Sequence, residues 1–169
     1  MGMALTLMLG LCTLFVTTAA HAQTDTDTTP ELSKDWTVRL GVYIFNSQTS
    51  RTAVGGPGIS GYVERRVYAG PGYDLNVGIG YNGFDSVYNV PILLDFVGYR
   101  GNLRYGGGAG YSFGKRVDGR GTSGATIELL LGYQLTHTTN PISIDLRYDF
   151  VSGSNDELDG YSLTFGYKF

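Results

Sequence analysis

The stretch YDLNVGIGY, residues 73–81, decides the fold class. Its bulky residues alternate strictly with small or polar ones, and a period of two is that of a β-strand with two different faces. Outward from this stretch, the same alternation and the intervening turn residues predict eight strands, near residues 35–46, 58–68, 72–82, 89–99, 102–113, 124–135, 142–151 and 160–169. None of this region carries the apolar stripe of a helix, so we predict an all-β fold.

Composition excludes several other classes of protein. The chain has 169 residues, enough for one domain, with 26 Gly and 5 Pro but no Gly-X-Y period, which excludes collagen. An aromatic content of 13% is too high for a disordered chain. Twelve basic against fifteen acidic residues give a net charge of −3, so we expect no nucleic-acid partner.

The N-terminus resembles a targeting segment. Residues 4–20, ALTLMLGLCTLFVTTAA, are uncharged and apolar and are followed by His21 and Ala22, a small-x-small cleavage pattern. We predict a cleaved secretory signal over residues 1–22, with a transmembrane helix as the alternative, and a flexible arm over residues 23–34. Cys12 lies within the signal, so the mature chain would have no cysteine and no disulfide.

The two phases of the strands predict opposite environments. A soluble barrel would have its bulky apolar phase inside, whereas a membrane barrel would have it outside. The interior of an eight-stranded barrel is just wide enough for side chains to fill, which suits the small and charged phase. We therefore expect a lumen charge network, in which Lys168 accompanies Arg39, Glu64, Arg66, Asp74, Asp95, Arg104, Glu128, Asp145, Arg147 and Asp149.

Aromatic residues favour the membrane alternative independently. In the outward phase they fall at the strand ends, while Val, Leu and Ile occupy the middle, as expected for an aliphatic band between two interfacial girdles. The predicted girdles contain Trp36, Tyr73, Tyr81, Tyr105, Tyr111, Tyr133, Tyr148, Tyr161 and Tyr167. Residues 35–169 are thus predicted to form an eight-stranded antiparallel up-and-down transmembrane β-barrel, which must close because hydrocarbon leaves no backbone polar group unpaired.

Connection lengths predict the orientation. The turns at residues 69–71, 100–101 and 136–141 are short, whereas the connections at 46–57, 83–88, 114–123 and 152–159 are mostly longer and more polar. Short turns on the side of the termini and long loops opposite are typical of the periplasmic and extracellular rims of outer-membrane barrels.

Two segments carry a family resemblance. YSLTFGYKF (161–169), ending in Phe169, and VPILLDFVGYRGNLRYGGGAGYSFGK (90–115) make the chain similar to small eight-stranded bacterial outer-membrane barrels, the class of the OmpA transmembrane domain and its OmpX-like relatives. The resemblance implies a Gram-negative outer-membrane location, outer-membrane lipid and lipopolysaccharide as partners, and recognition of Phe169 by the assembly machinery. We expect a monomer, without the peptidoglycan-binding domain that follows the barrel in OmpA-like proteins.

Within the lumen, two side-chain pairs are predicted from strand register. The turn at residues 69–71 would set Arg66 opposite Asp74. The next-to-last hairpin would set Glu128 opposite Asp149, and two facing carboxylates imply an intervening arginine, a shared proton or a cation. We favour an ion-pair plug with Arg39 or Arg147 between them over a functional carboxylate pair.

An enzyme would need a base and a nucleophile. The segment His137-Thr138-Thr139 faintly resembles the His-x-Ser spacing of lipid A deacylases, but Thr139 stands where serine is required. His137 is also predicted on the periplasmic rim, away from an outer-leaflet substrate. We therefore expect no catalytic residues, and eight strands leave no open channel.

The loops remain as carriers of specificity. GKRVDGRGTSG (114–124) has a net charge of +2 and is suited to lipopolysaccharide phosphates, whereas SGSNDELDG (152–160) has −3 and is suited to Ca²⁺ or Mg²⁺. Solvated loop charges are the preferred interpretation, so we predict no metal and no cofactor. The resulting hypothesis is a non-enzymatic integral outer-membrane protein with a structural, envelope-integrity or surface-interaction role; a lipid A-modifying enzyme and a weak small-solute channel are the alternatives.

Overall fold

The eight predicted strands form one closed antiparallel barrel. The structure is a computed structural model that describes residues 36–137 and 140–169, so the predicted signal and arm lie outside the described residues. Every strand pairs with its neighbours in sequence, and the first pairs with the last. The strands are β1 (Trp36–Phe45), β2 (Gly58–Gly70), β3 (Tyr73–Phe84), β4 (Val87–Arg100), β5 (Leu103–Lys115), β6 (Gly121–Gln134), β7 (Ile142–Val151) and β8 (Gly160–Lys168).

The pairing of β1 with β8 closes the sheet. The Trp36 amide donates to the Phe169 carbonyl and the Phe169 amide donates to the Trp36 carbonyl, both over 2.8 Å. Both ends of the barrel sequence therefore lie on the same rim, which we call the terminal rim; the opposite one is the loop rim. Closure leaves no edge strand, as a barrel in hydrocarbon requires. The predicted all-β up-and-down topology is confirmed.

The connections differ in part from the prediction. Strands β3 and β4 are joined by only Asp85 and Ser86, so the expected longer connection over residues 83–88 is wrong. Asp85 has a φ of 50°, the left-handed backbone that such a tight turn needs. On the terminal rim, residues 135–141 form a longer connection than residues 116–120 do on the loop rim. On the loop rim, the connections over residues 46–57 and 152–159 are longer than any connection on the terminal rim.

A short helix, α1 (Gln48–Val54), lies within the first loop. Ser47 caps its N-terminus by accepting from the Ser50 amide, and Gly55 ends it with a φ of 73°. Its seven residues are too short to show a helical period in the sequence, so the alternation analysis did not predict it. Among the residues that the structure describes, no helix has the length and apolar character needed to cross a membrane.

The outer face of the barrel is apolar along the middle of the strands. Leu40 is 68% exposed and Leu129 62%, which would be unfavourable in water and is suited to lipid. All nine predicted girdle residues lie in this outward phase, those on the terminal rim being Trp36, Tyr73, Tyr105, Tyr133 and Tyr167 and those towards the loop rim Tyr81, Tyr111, Tyr148 and Tyr161. The fold is that of a transmembrane β-barrel.

The inner face is less uniformly polar than expected. Small and charged side chains dominate it, but several large apolar or aromatic residues are also buried there, including Tyr43, Tyr62, Leu93, Val97 and Leu130. Glycines on adjoining strands make the room: Gly80 pairs with Tyr62, and a Cβ at residue 80 would overlap the Tyr62 ring. Bulky inner residues are therefore compatible with a narrow lumen when the neighbouring strand contributes no side chain.

Candidate functional site in the barrel lumen

Three arginines and three carboxylates alternate across the lumen. Arg104 lies 3.1 Å from Asp145, which is also paired with Arg39, and the Arg39 Nε lies 2.9 Å from Glu64. Arg147 continues the series, with its guanidinium 2.5 Å from Glu64 and 3.1 Å from Glu128. We call these six residues, Arg104, Asp145, Arg39, Glu64, Arg147 and Glu128, the ion chain. It joins strands β1, β2, β5, β6 and β7 through the interior.

The ion chain is shielded from solvent and is supported by further contacts. Arg147 is 1% exposed and Glu128 0%, so both side chains are buried. The Arg39 Nη1 also donates to the Ser143 hydroxyl at 3.0 Å, and the Arg147 guanidinium lies 4.6 Å from the centre of the Tyr62 ring. Because buried charges are stable only when paired and hydrogen-bonded, these contacts hold the chain in one arrangement.

Asp74 organises a second, smaller group near the terminal rim. Its carboxylate lies 3.4 Å from Arg66 and 3.4 Å from Lys168, and it accepts a hydrogen bond from the Tyr99 hydroxyl at 2.9 Å. Arg66 and Asp74 thus meet through their side chains, although the predicted register is wrong: the turn pairs Gly70 with Tyr73, and Asn76 rather than Asp74 lies opposite Arg66. The two ion-pair groups account for eight of the ten network residues predicted from the sequence.

The other two residues, Asp95 and Asp149, have no arginine partner in the described part of the chain. Asp149 is the register partner of Glu128, and Arg147 contacts only Glu128 of the two. The expectation of an arginine between the two carboxylates is therefore wrong. Asn82 instead donates to the Asp149 carboxylate at 2.7 Å, and the Tyr62 hydroxyl lies 3.3 Å from it. Both contacts reach the same oxygen of the Asp149 carboxylate, Oδ2.

Asp95 lies on the same row of paired residues, separated from Glu128 by Gly108. It is 2% exposed, and within residues 36–137 and 140–169 neither of its carboxylate oxygens has a hydrogen-bond partner. Its Oδ1 occupies the space that a Cβ at residue 108 would need. Among the described residues, however, no three His, Cys, Asp or Glu side chains are grouped so as to hold a metal ion.

Apolar side chains close the lumen at the loop rim. Tyr43, Phe45, Val87, Val151 and Leu158 form a buried cluster, which we call the loop seal. Leu158 belongs to the last loop, which folds into the barrel mouth. Its carbonyl accepts hydrogen bonds from the Tyr43 hydroxyl at 2.7 Å and from the Asn89 amide nitrogen at 3.2 Å. The seal therefore has both apolar contacts and hydrogen bonds to the barrel wall.

Contacts between loops reinforce the seal. The Arg116 guanidinium pairs with Glu157 at 2.8 Å, joining the basic loop to the acidic one, and the Ser50 hydroxyl of α1 donates to the Glu157 carbonyl at 2.7 Å. The hydrogen bond from Arg116 holds the pKa of Glu157 below its ordinary value of 4.5. Burial raises the pKa of Asp159, against a hydrogen bond that its carboxylate accepts from the Val151 amide. Two of the three carboxylates proposed for a cation are thus engaged within the protein.

His137, the one candidate base, lies on the terminal rim. Its Nε2 is 2.9 Å from the Asn102 side-chain oxygen and its Nδ1 is 3.4 Å from the Gln134 amide nitrogen. Thr138 and Thr139 lie outside the described residues. The side chain is exposed, and its two hydrogen bonds tie together neighbouring turns, which is a structural arrangement.

Sequence analysis did not identify several partners of the charges. Asn82, Tyr62 and Ser143 hold Asp149 and Arg39, and all three occupy the inner phase of their strands. Their position in the inner phase of the strands was the sequence signal that could have identified them as lumen residues. The choice of partner was not visible, because it depends on which side chains meet across the interior.

Comparisons with known proteins identify the fold of this chain. Neither a protein family nor a curated protein matches the sequence. A de novo designed transmembrane β-barrel superimposes on 83% of this chain and 100% of its own, with a TM-score of 0.52 and 15% identity. The N-terminal β-barrel domain of Pseudomonas aeruginosa OprF superimposes on 81% of this chain and 98% of its own, with a TM-score of 0.51 and 13% identity. The chain is similar to both in fold, and the resemblance to small transmembrane barrels expected from the sequence is confirmed at that level.

Proposed function

We propose that this chain is a non-enzymatic integral outer-membrane protein whose barrel is closed to solutes and whose role is structural, in envelope integrity and surface interaction. The filled lumen is the observation that carries this proposal. The ion chain occupies the interior and the loop seal covers the mouth, with Glu128 and Leu158 both 0% exposed. A solute would have to displace paired buried charges and a packed apolar cluster in succession.

The outer-membrane location, the lipid and lipopolysaccharide partners and the monomeric state belong to the same proposal. Outward Leu, Ile and Val between aromatic girdles support lipid contact. Phe169, proposed as the assembly signal, is 56% exposed on the outer face, and its ring stacks on Tyr167 at 6.1 Å. Exposure on the closing strand leaves this side chain accessible to an assembly factor.

Conductance in planar bilayers tests the closed lumen. The chain is refolded in detergent and inserted alone, with a large water-filled porin as the positive control. We expect no steady single-channel steps from the refolded barrel. Reproducible steps of uniform size, in preparations whose folded state is verified by gel mobility, would refute the closed-barrel proposal and favour the channel alternative.

A lipid assay tests the non-enzymatic part. Purified protein is incubated with lipopolysaccharide, and the lipid A is analysed by mass spectrometry for lost or transferred acyl chains. We expect unchanged lipid A, because His137 hydrogen-bonds to Asn102 and Gln134 on the terminal rim. Acyl loss that disappears in a His137→Ala variant would identify a deacylase instead.

A further inference from the structure

A groove of about 570 Å³ opens on the outer wall of the barrel near the loop rim. Strands β4, β5 and β6 form it, and it is lined by Tyr88, Val90, Phe113, Gly114, Gly121, Thr122 and Ser123. Its volume lies within the usual range of small-molecule sites. Unlike the lumen, it opens to the environment that surrounds the barrel.

Missing side chains create the groove. Gly121 is the register partner of Lys115, and a Cβ at residue 121 would meet no atom within 4 Å. Tyr88 on β4 and Phe113 on β5 contribute the aromatic rings that line the groove. The Tyr111 hydroxyl and the Ser123 hydroxyl lie 3.1 Å apart, which satisfies the polar group that β6 contributes here. The result is a mainly apolar slot with satisfied polar groups.

The surroundings of the groove indicate what fills it. Tyr88, Val90 and Phe113 are in the outward, lipid-facing phase, and Tyr88 stacks on Tyr81 of the girdle at 5.6 Å. Aromatic girdles lie at the headgroup level, so the slot spans the boundary between acyl chains and headgroups. An acyl chain is the ligand group that matches an apolar slot at that depth.

A cation, Lys115, lies at the end of the slot that is nearer the loop rim. Lys115 is the register partner of both Tyr88 and Gly121, and it is two residues beyond Phe113, about 7 Å closer to the loop rim. Among the described residues it has no carboxylate within ion-pair distance. Arg120 is a second cation in the same loop. Its side chain is 84% exposed, and its Nε lies 3.8 Å from the Asp118 carboxylate. Arg116, by contrast, is engaged with Glu157.

We propose that this groove is a specific binding site for the phosphorylated, multiply acylated lipid A portion of lipopolysaccharide, with an acyl chain in the slot over Gly121 and a phosphate on Lys115. The inference rests on the proposed outer-membrane location, because only then does the loop rim contact this lipid. It goes beyond a general lipid contact, since it assigns one place on the wall and one charged residue to a defined ligand.

Two variants separate the apolar and charged parts of the site. Gly121→Leu places a side chain in the slot, at a position where a Cβ meets no atom within 4 Å, and Lys115→Gln removes the cation. Gly61→Leu is the matched control, because Gly61 also faces lipid on β2 and a Cβ there meets its nearest atom at 3.6 Å. Binding of purified lipid A to the refolded chain in detergent is measured by native mass spectrometry, with dephosphorylated lipid A and phosphatidylglycerol as competing probes.

We expect the unaltered chain to hold one lipid A in preference to either competitor. Gly121→Leu should weaken binding about tenfold, the effect of excluding about two methylene groups. Lys115→Gln should weaken binding of lipid A about fivefold and leave that of the dephosphorylated lipid unchanged. Gly61→Leu should bind as the unaltered chain does.

Equal binding by the unaltered chain, Gly121→Leu and Lys115→Gln would overturn the assignment, as would an equal loss in Gly61→Leu. Stronger binding of phosphatidylglycerol would show that the slot takes a phospholipid. Each of these outcomes leaves the proposed function intact, since that fails only if the barrel conducts, cleaves lipid A or does not insert into outer-membrane lipid.

Discussion

Arg147 is the position at which the ion chain is most sensitive to substitution. It pairs with Glu64 and Glu128, and it is 1% exposed. Arg147→Gln preserves much of the side-chain length and the hydrogen bonding but removes the charge. Glu64 would keep Arg39 at 2.9 Å, whereas Glu128 would lose the arginine with which it pairs and would still have Asp149 as its register partner.

The magnitude follows from the stranded charge. Removing one partner of a buried ion pair typically costs about 3–5 kcal/mol, because the remaining charge stays buried without compensation. We expect Arg147→Gln to lower the free energy of unfolding by that amount. Adding Glu128→Gln removes the stranded carboxylate, so the double variant should lose less than about 2 kcal/mol, since neutral replacement of a whole buried pair is often tolerated.

Urea unfolding of the barrel in lipid vesicles measures these differences. Trp36 is the single tryptophan of the chain and lies at the β1–β8 closure, so its fluorescence reports closure, and the mobility of unheated samples on gels provides a second measurement. Arg120→Gln is the control, because a side chain that is 84% exposed should change stability by less than about 0.5 kcal/mol. If Arg147→Gln matched Arg120→Gln, or if the double variant were no more stable than the single one, the ion chain would not be held by charge pairing.

Three further variants test the seal and the lumen. Arg116 lowers the pKa of Glu157, so their ion pair is fully formed above about pH 4.5 and is lost as the pH falls through the lower pKa of the folded state. Acid should therefore speed proteolysis of residues 152–159 in the unaltered chain and not in Glu157→Gln. Equal acceleration in both chains would contradict this. Leu158→Ala, which empties the centre of the loop seal, should cost about 2–5 kcal/mol in urea unfolding, and a loss below about 1 kcal/mol would show that the loop is not packed as described. Gly108→Ala should cost about 1–3 kcal/mol by displacing the Asp95 carboxylate, and adding Asp95→Ala should recover most of it; no recovery would place the strain elsewhere.

The fold was predictable because each strand carries its own local signal. β7 runs from Ile142 to Val151, the range predicted, since alternation and the flanking turn residues mark both ends. β4 is longer than predicted because Asp85 and Ser86 make a two-residue turn, and pairing therefore continues to Phe84 and Val87. α1 was missed because its seven residues are held by a cap and by contacts with the last loop, which a period analysis does not detect.

The sequence predicted which charged residues face the lumen, but it did not predict which of them form ion pairs with each other. Strand phase assigns Arg39, Glu64 and Arg147 to the interior, but they are far apart in sequence and meet only because the barrel closes. The bulge between Arg66 and Tyr68 shifts the register on β2, which no alternation count would place. Tyr62 lies inside because Gly80 faces it, so the volume available to one strand is set by its neighbour.

The ion chain also affects which phase of the strands faces the lumen when the barrel folds. A slip of one residue in strand phase would turn every inner side chain outwards. For Arg39 or Arg147 this would mean exposure to hydrocarbon, at a cost of about 2–4 kcal/mol each near the bilayer midplane. An apolar lumen would carry no such penalty, because its side chains are as favourable in lipid as inside. Burying six charges contributes little to stability by itself, but it makes the alternative phase unfavourable on several strands at once. The charged lumen is thus suited to a closed barrel that must fold in one phase, and this leaves the outer wall and the loops as the surfaces through which the protein contacts other molecules.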